Sequence, residues 1–468
     1  MTSLSESFEA QRSLSRNGSV IGYDQRMEAL DKLLAMTLDN EGEIIASIAA
    51  DFGTRCPMET IMGDILMTIT NLKENRKQLR KWMKPRRVKT AKHYWPGSSH
   101  IKRQALGVVG VISPWNYPFQ LAMVPAAQAI AAGNRVLIKP SELTPNTSNL
   151  MARLIANNFD ANYLMVVLGD NNVGREFSKL PFDHLVFTGS TEIGRHVAKA
   201  AAANLTPVTL ELGGKSPTIF GRSANLDKMI PRFTFGKMLN AGQTCVAPDY
   251  VFVPQSSIDD FVACFARTIK DFYPGGADED SFTSIISDRH FLRLNELLDD
   301  AKAKGAYVTR VGENLGEGVS NQKKFAPAIL TNVNDDMRVM QEEIFGPILP
   351  VMDYRDISET IRYINAHERP LALYIFSEDK KEQRQILDQT IAGGVTVNDT
   401  LCHLAQENLP FGGVGASGMG SYHGEHGFIT FSKEKPIFTQ SRFSSLNKLY
   451  PPYGKQAKFL INFVRKIM

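Results

Sequence analysis

Residues 105–112 read ALGVVGVI and open a stretch in which short apolar segments alternate with helical ones as far as PVTLEL, residues 207–212. The apolar segments between these two are NRVLIKP, YLMVVLG and HLVFTGS. Strands separated by helices of this length form a parallel sheet with helices on both faces. The stretch covers about a hundred residues, the size of a dinucleotide-binding core. It predicts an α/β fold with a Rossmann-like domain.

A second alternation follows Gly214 and predicts a second α/β domain, with strands at YVFVP (250–254), LALYIFS (371–377) and GGVTVND (393–399). On the other side of the core, residues 24–53 and 58–83 have apolar residues at helical spacing. The segment between these helices and the core, residues 88–104, fits neither helix nor strand well. We expect this segment to project from the first domain.

Residues 104–134 contain no charged residue, which raises the question of a membrane span. The stretch contains Pro114, Asn116, Pro118 and Pro125, which a spanning helix would have to place in lipid. We predict instead a buried strand, an irregular functional loop and a buried helix.

Composition excludes several function classes. The 468 residues include 53 basic and 49 acidic side chains, a net charge of +4 that does not suggest binding to nucleic acid. Four scattered cysteines, with no CxxC or HxxxH spacing, predict neither a metal site nor a disulfide framework. With no apolar segment in MTSLSESFEAQRS to suggest a signal peptide, we expect a cytoplasmic protein.

Three residues are candidates for catalysis. Cys245 lies on the loop NAGQTCVAPDY between Gly242 and Pro248, where a substrate could reach it, although most cysteines have no chemical role. Glu211 ends an apolar strand before two glycines and could serve as a general base, or could form a buried ion pair with Lys215. Asn116 could donate a hydrogen bond to an oxyanion, or could only stabilise a turn.

Other residues are suited to a dinucleotide. Lys139 and Glu142, after the strand in IKPSE, offer a cation and a carboxylate to ribose hydroxyls. Gly189 and Ser190 join a strand to a helix whose N-terminus could bind a pyrophosphate, although the spacing is G-x-x-x-x-G and glycine is common in such turns. The segments EEIFGP and LPFGG could be ordinary turns with no functional role.

Taken together, ISPWNYP, IKPSELTP, FTGSTEIG, TLELGGKSP, NAGQTC, EEIFGP and LPFGG resemble the motifs of the aldehyde dehydrogenase superfamily in order and separation. The resemblance covers nearly the whole chain. KWMKPRRV, QTCVAPDY and YPPYG are similar to segments of the class 3 branch. Within that branch, KLYPPYG and the C-terminal tail are most similar to the coniferyl-aldehyde dehydrogenase group.

The resemblance implies a role for each candidate. Cys245 would be the nucleophile, Glu211 the base that activates water, and Asn116 a donor of the oxyanion hole. Lys139 and Glu142 would hold the adenosine ribose, and Gly189 and Ser190 the pyrophosphate. Glu343 and Phe345 would position the nicotinamide half of the cofactor, with Trp115 nearby.

The same resemblance implies NAD(P)-dependent oxidation of an aldehyde to the acid, through a thiohemiacetal and a thioester. We expect local activation of the thiol, because a free thiol is only a few per cent thiolate at pH 7. Glu142 favours NAD, with NADP possible. Trp115, Tyr117 and Phe411 suggest an aromatic or apolar substrate tunnel. Two alternatives remain: a reductase that passes the acyl group to coenzyme A, and a catalytically silent binding protein.

The expected organisation has five parts. Residues 1–85 and 105–212 would form the NAD(P)-binding domain, and 213–420 the catalytic domain. Segments 86–104 and 421–440 would join two chains in a homodimer. A tail, 441–468, has Phe459, Leu460, Phe463, Val464 and Ile467 on one predicted helical face. That helix could dock on the protein itself or on a partner subunit, or lie on a membrane surface.

Overall fold

The structure is a computed structural model and describes residues 3–18, 20–312, 323–444 and 446–467. The chain begins with helices that cover the first parallel sheet. They are α1 (Leu4–Arg16), α2 (Tyr23–Asp39), α3 (Glu41–Phe52), α4 (Pro57–Thr60) and α5 (Met67–Met83), and a π-helical stretch (Ile61–Leu66) lies between the last two. The predicted helix over 24–53 is therefore two helices that meet at Asn40.

A small antiparallel sheet joins two distant parts of the chain. Its central strand pairs with a short strand on one side and with a strand more than 300 residues later on the other. The three strands are β1 (Arg86–Val88), β2 (Ser98–Ala105) and β16 (Ser432–Thr439). Residues 98–105, where we expected neither helix nor strand, are thus a strand.

The first large sheet is the predicted Rossmann-like core. Its strands are β3 (Val108–Ile112), β4 (Arg135–Lys139), β5 (Leu164–Val166), β6 (His184–Gly189), β7 (Val208–Leu212) and β15 (Gly418–Met419). They lie in the order β15-β7-β6-β3-β4-β5, and all neighbours are parallel except β15 and β7. The strand order reverses direction between β3 and β6, and ligands of such sheets bind outside the carboxyl ends at that point.

The second large sheet confirms the second α/β alternation. Its strands are β8 (Pro217–Phe220), β9 (Tyr250–Pro254), β10 (Tyr307–Arg310), β11 (Ala328–Thr331), β12 (Ile348–Tyr354), β13 (Ala372–Phe376) and β14 (Gly394–Val397). The order is β10-β11-β12-β9-β8-β13-β14, with only the edge strand β10 antiparallel. Sequence patterns predicted three of these seven strands.

The remaining helices cover the two large sheets or connect their strands. They are α6 (Gln120–Ala132), α7 (Pro145–Asn158), α8 (Asn171–Ser178), α9 (Thr191–Ala202), α10 (Leu226–Met238), α11 (Ile258–Phe272), α12 (Asp288–Ala303), α13 (Arg338–Gln341), α14 (Ile357–Ala366), α15 (Lys380–Gln389), α16 (Gly424–Thr430) and α17 (Lys455–Ile467).

The uncharged stretch 104–134 has the predicted structure: the strand β3, an irregular loop and the helix α6. Every residue of α6 is buried, because the helix lies inside the hydrophobic core. Within the described part of the chain, no helix is both long and apolar enough to cross a bilayer.

Candidate active site

Cys245 lies on a sharply turned loop between α10 and β9. The backbone of Asn240, Ala241 and Gly242 has φ angles of 55°, 51° and 75°, so three consecutive residues are left-handed. A Cβ atom at Gly242 would lie 2.5 Å from the carbonyl oxygen of Gly346, so only glycine fits there without movement. This turn brings Cys245 back toward the first sheet.

A cavity of about 630 Å³ opens beside Cys245, whose side chain is partly exposed to it. Most of the lining side chains are apolar. The lining includes Met62, Met67, Tyr117, Leu121, Phe235, Leu239, Cys245, Leu401 and Phe411. The expected tunnel residues Tyr117 and Phe411 are in this lining, whereas Trp115 is not among them. A cavity of this size and character suits a small apolar ligand.

Glu211 is the last residue but one of β7, and its carboxyl group is buried. Neither of its side-chain oxygens has a partner within the described structure. Burial raises the pKa of Glu211 well above its usual value. The alternative partner, Lys215, instead forms an ion pair with Asp249 and donates to the carbonyl oxygens of Val339 and Glu342. The buried Glu211–Lys215 pair is therefore not formed.

Asn116 lies in the loop after β3 and faces the cysteine loop. Its Nδ2 donates to the carbonyl oxygen of Gln243 at 3.2 Å, and the adjacent Tyr117 hydroxyl contacts the Thr244 hydroxyl at 2.7 Å. An amide nitrogen carries two protons, so one proton of Asn116 is left for another acceptor. Two consecutive residues of each loop thus hold the loops together next to Cys245.

A buried ion pair below the Asn116 loop was not predicted from the sequence. Arg55 donates to the carbonyl oxygen of Asn116 at 2.6 Å and to the Asp64 carboxylate at 3.2 Å. The other oxygen of Asp64 accepts from the backbone N–H groups of Phe119 and Gln120, both at 3.1 Å. Both ion-pair side chains are fully buried. Arg55 and Asp64 therefore fix the backbone on both sides of Tyr117.

The electrostatic surroundings of Cys245 disfavour the thiolate. Burial, followed by the nearby charges of Glu343 and Glu211, raises the pKa of the Cys245 thiol to about 12. The expected local activation of the thiol is therefore not found, because the neighbouring side chains that act on it are acidic rather than basic. Glu343 and Glu211 are the two carboxyl groups whose charges act on the sulfur atom.

Trp115 and Phe345, two of the residues predicted to bind the cofactor, pack against each other. The rings of Trp115 and Phe345 are 5.4 Å apart, which explains why Trp115 is absent from the apolar cavity. A Cβ atom at Gly213 would lie 2.1 Å from the Glu343 carboxylate, so this glycine makes room for it. Burial raises the pKa of Glu343 to about 8.

Lys139 and Ser190 lie at the carboxyl ends of β4 and β6, on either side of β3. The amine of Lys139 is buried and donates to the carbonyl oxygen of Pro140 at 2.7 Å, and burial lowers its pKa. Glu142 is exposed. Ser190 is the N-cap of α9, and its hydroxyl accepts from Ile193 N. Gly189 immediately precedes it.

Comparison with known proteins identifies the family. The family profile described as "Aldehyde dehydrogenase family" matches residues 9–437. The chain belongs to the aldehyde dehydrogenase family. This aldehyde dehydrogenase is an oxidoreductase that oxidises aldehydes to acids with a nicotinamide cofactor. The predicted resemblance and α/β fold are thus confirmed.

Individual relatives show which members of the family this chain is similar to. A "probable coniferyl aldehyde dehydrogenase" of Pseudomonas aeruginosa is 48% identical over 437 residues, with 93% of this chain and 91% of the relative covered. "Aldehyde dehydrogenase family 3 member A2" of Rattus norvegicus is 41% identical, with coverage of 91% and 87%. Among solved structures, a substrate-bound AldH of Staphylococcus aureus is 39% identical with a TM-score of 0.93, covering 99% of this chain and 100% of its own.

Proposed function

We propose that this aldehyde dehydrogenase oxidises aromatic or medium-chain apolar aldehydes, coniferaldehyde among them, with NAD and through a covalent bond to Cys245. One observation carries the proposal: Cys245 lines an apolar cavity, with the unpartnered carboxyl group of Glu211 close enough to raise the pKa of the thiol. A nucleophile, a base and a binding cavity thus meet at one place.

In the first step, the sulfur of Cys245 bonds to the carbonyl carbon of the aldehyde, and the carbonyl oxygen becomes an oxyanion. The free proton of Asn116 Nδ2 and the backbone N–H of Cys245 stabilise this charge. The thiol proton must leave, and the high pKa of Cys245 means that free enzyme holds that proton at neutral pH. That proton passes to solvent as the C–S bond forms, so this step does not need Glu211, which acts only on water in the last step.

The residues of the cofactor site fit a dinucleotide. Ser190 opens α9, whose first-turn N–H groups suit a pyrophosphate, and Lys139 and Glu142 can bind ribose hydroxyls. Glu343, whose carboxylate lies against Gly213, can bind the second ribose. A nicotinamide cofactor supplies the hydride acceptor when bound. Trp115 and Phe345 exclude water from that side of Cys245.

In the last step, Glu211 removes a proton from a water molecule, which attacks the thioester at Cys245 and releases the acid. A buried carboxyl group is suited to this task, because burial raises its pKa and makes it a stronger base than an exposed carboxylate. Transfer to coenzyme A would not need such a base. The presence of Glu211 therefore favours hydrolysis.

The substrate class follows from the cavity and from the relatives. Most of its lining side chains are apolar, with methionine, leucine and phenylalanine among them, so burial of an apolar or aromatic aldehyde against them is favourable. Relatives of similar length are named as coniferyl aldehyde dehydrogenases. This combination supports coniferaldehyde as a substrate.

The cofactor preference depends on Glu142. Its carboxylate is exposed near the proposed ribose site, where it can accept from a 2′-hydroxyl and would repel a 2′-phosphate. We expect a higher kcat/KM with NAD than with NADP. The ratio of kcat/KM with NAD to kcat/KM with NADP should be smaller in Glu142→Gln than in wild type. An unchanged ratio in that variant would contradict the role of Glu142.

The proposed organisation keeps the domains as predicted from the sequence, with a homodimer in the cytoplasm. Segments 86–104 and 421–440 contribute all three strands of the small antiparallel sheet, which supports a common role for them in pairing two chains. Light scattering should give twice the 52.0 kDa of one chain. A mass of 52.0 kDa would contradict the dimer.

The activity test follows NADH absorbance with coniferaldehyde, benzaldehyde and hexanal. Wild type should reduce NAD without added coenzyme A, and Cys245→Ala should lose activity completely. Cys264→Ala is the matched control, because Cys264 is buried in α11 and does not line the cavity. Equal rates in wild type and Cys245→Ala would contradict the mechanism, and strict dependence on coenzyme A would replace it with the acylating reaction.

A further inference from the structure

The tail, residues 441–468, differs in charge from the rest of the chain. It contains six basic residues and no acidic one, and the basic residues are Arg442, Lys448, Lys455, Lys458, Arg465 and Lys466. This charge exceeds the net +4 of the entire chain, so the rest of the protein is slightly acidic. The tail is therefore a concentrated cationic segment on a protein whose remaining residues are slightly acidic in sum.

The helix α17 presents aromatic side chains to solvent. The residues of the predicted apolar face differ in burial: Leu460 and Val464 are half-buried, whereas Phe459 is 73% exposed and Phe463 is 50% exposed. Ala457, which was not part of the predicted face, is buried on the same side of the helix as Leu460 and Val464. The side chain of Ile467, the fifth residue of that predicted face, lies outside the described part. One face of α17 thus packs on the protein, and a second face, with Phe459 and Phe463, is exposed to solvent.

The exposed face combines the two phenylalanines with lysines. Phe459 and Phe463 are four residues apart and therefore adjacent on one side of the helix, and Lys455 and Lys466 continue the same stripe. Tyr450 and Tyr453, just before the helix, are also largely exposed. A row of aromatic rings between cationic side chains is the pattern of a helix that lies in a lipid headgroup layer.

We propose that the tail docks on the surface of an anionic lipid bilayer, with Phe459 and Phe463 inserted between headgroups and the lysines against lipid phosphates. At 1.5 Å per residue, the 13 residues of α17 span about 20 Å, less than the roughly 30 Å hydrocarbon core. The helix therefore lies along the surface and does not cross it.

Charge decides between a bilayer and a second copy of the chain. Two tails that covered each other's aromatic face would bring together two segments with six positive charges each and no acidic residue to balance them. An anionic bilayer supplies the opposite charge over the whole length of the helix. The bilayer is therefore the favoured occupant.

The test is sedimentation of the full chain with vesicles of phosphatidylcholine alone or mixed with phosphatidylglycerol. Wild type should sediment with the mixed vesicles at low salt, and high salt should release it because the Debye length shortens. Lys455→Glu/Lys458→Glu should weaken binding by more than tenfold, since each cation near such a surface contributes roughly fivefold. Binding to both vesicle types alike, or to neither, would overturn the proposal.

A second pair of variants isolates the aromatic rings. Phe459→Ser/Phe463→Ser should lose binding to the mixed vesicles and keep wild-type NADH formation, which shows that the variant is folded. Tyr307→Ser removes a comparably exposed ring from the edge strand β10 and should bind like wild type. Normal binding of the double variant to the mixed vesicles would refute the lipid-docking surface. A wild type that binds no vesicles, together with a different solution mass of the double variant, would refute it as well, because the rings would then cover a contact between chains.

Discussion

Two buried carboxyl groups of this aldehyde dehydrogenase have opposite surroundings. Asp64 contacts one guanidinium and two backbone N–H groups, whereas Glu211 has no hydrogen-bond partner in the described structure. Burial raises the pKa of both, to about 6 for Asp64 and well above its usual value for Glu211. A partnered carboxylate stabilises the fold, and an unpartnered one remains available for chemistry.

The largest expected effect comes from Glu211→Gln. The amide keeps the shape of the side chain but cannot accept a proton, so steady-state turnover should fall by about 10²–10⁴-fold. The first equivalent of NADH should still form in a rapid burst, because the thioester then accumulates. Stopped-flow absorbance measures both phases. Steady-state rates within a factor of two of wild type would remove Glu211 from the mechanism.

The second effect tests the partnered carboxylate through Arg55→Met. Removal of one member of a buried ion pair leaves the other uncompensated, and we expect the free energy of unfolding to fall by about 3–5 kcal/mol. Because Arg55 also holds the carbonyl oxygen of Asn116, kcat should fall more than KM rises in the protein that remains folded. Urea titration and steady-state kinetics measure the two changes.

Two variants separate positioning from general destabilisation. Arg55→Lys keeps the charge and should recover stability more than kcat, because a single ammonium cannot reproduce the planar pair of contacts. Arg153→Met removes an exposed ion pair with Glu43 and should change stability by less than about 1 kcal/mol. Arg55→Met with wild-type stability would show that the pair is not structural.

The smallest effect is a pH dependence of stability. The pKa of Glu211 is raised in the folded state, so folded protein binds a proton that unfolded protein has lost above the usual value of 4.5. The stability contributed by this proton is complete below pH 4.5 and decreases as pH rises, by up to about 1.4 kcal/mol per pH unit. Glu211→Gln lacks this loss.

The stability difference between Glu211→Gln and wild type should therefore increase from pH 5 to pH 8 in favour of the variant. Thermal unfolding across this range measures it. Glu378→Gln, at an exposed position, is the control and should follow wild type. A constant difference between Glu211→Gln and wild type would mean that Glu211 is already ionised in the folded protein.

The same contrast explains what the sequence could predict. Cys245, Glu211 and Asn116 lie on loops or strand ends with glycines and prolines nearby, and such positions are visible without a structure. Arg55, between two helical runs, and Asp64, within the second run, look like ordinary surface charges. They become buried only because residues more than 50 positions later in the chain pack over them. The sequence around Arg55 and Asp64 therefore does not predict their burial.

The errors in the fold have similar causes. The strand β2 was missed because its side chains are mostly polar and only half-buried, so the sequence lacks an apolar alternation. Activation of the Cys245 thiol was expected because a free thiol is only a few per cent thiolate at pH 7. The pKa of the Cys245 thiol depends instead on burial and on two acidic residues from other parts of the chain.

The most direct test of the mechanism is intact and peptide mass spectrometry of Glu211→Gln quenched after mixing with NAD and coniferaldehyde. We predict one acyl group per chain, on the peptide that contains Cys245, and none on the same protein without NAD. Turnover of the aldehyde with no acyl group on that peptide would contradict the covalent mechanism.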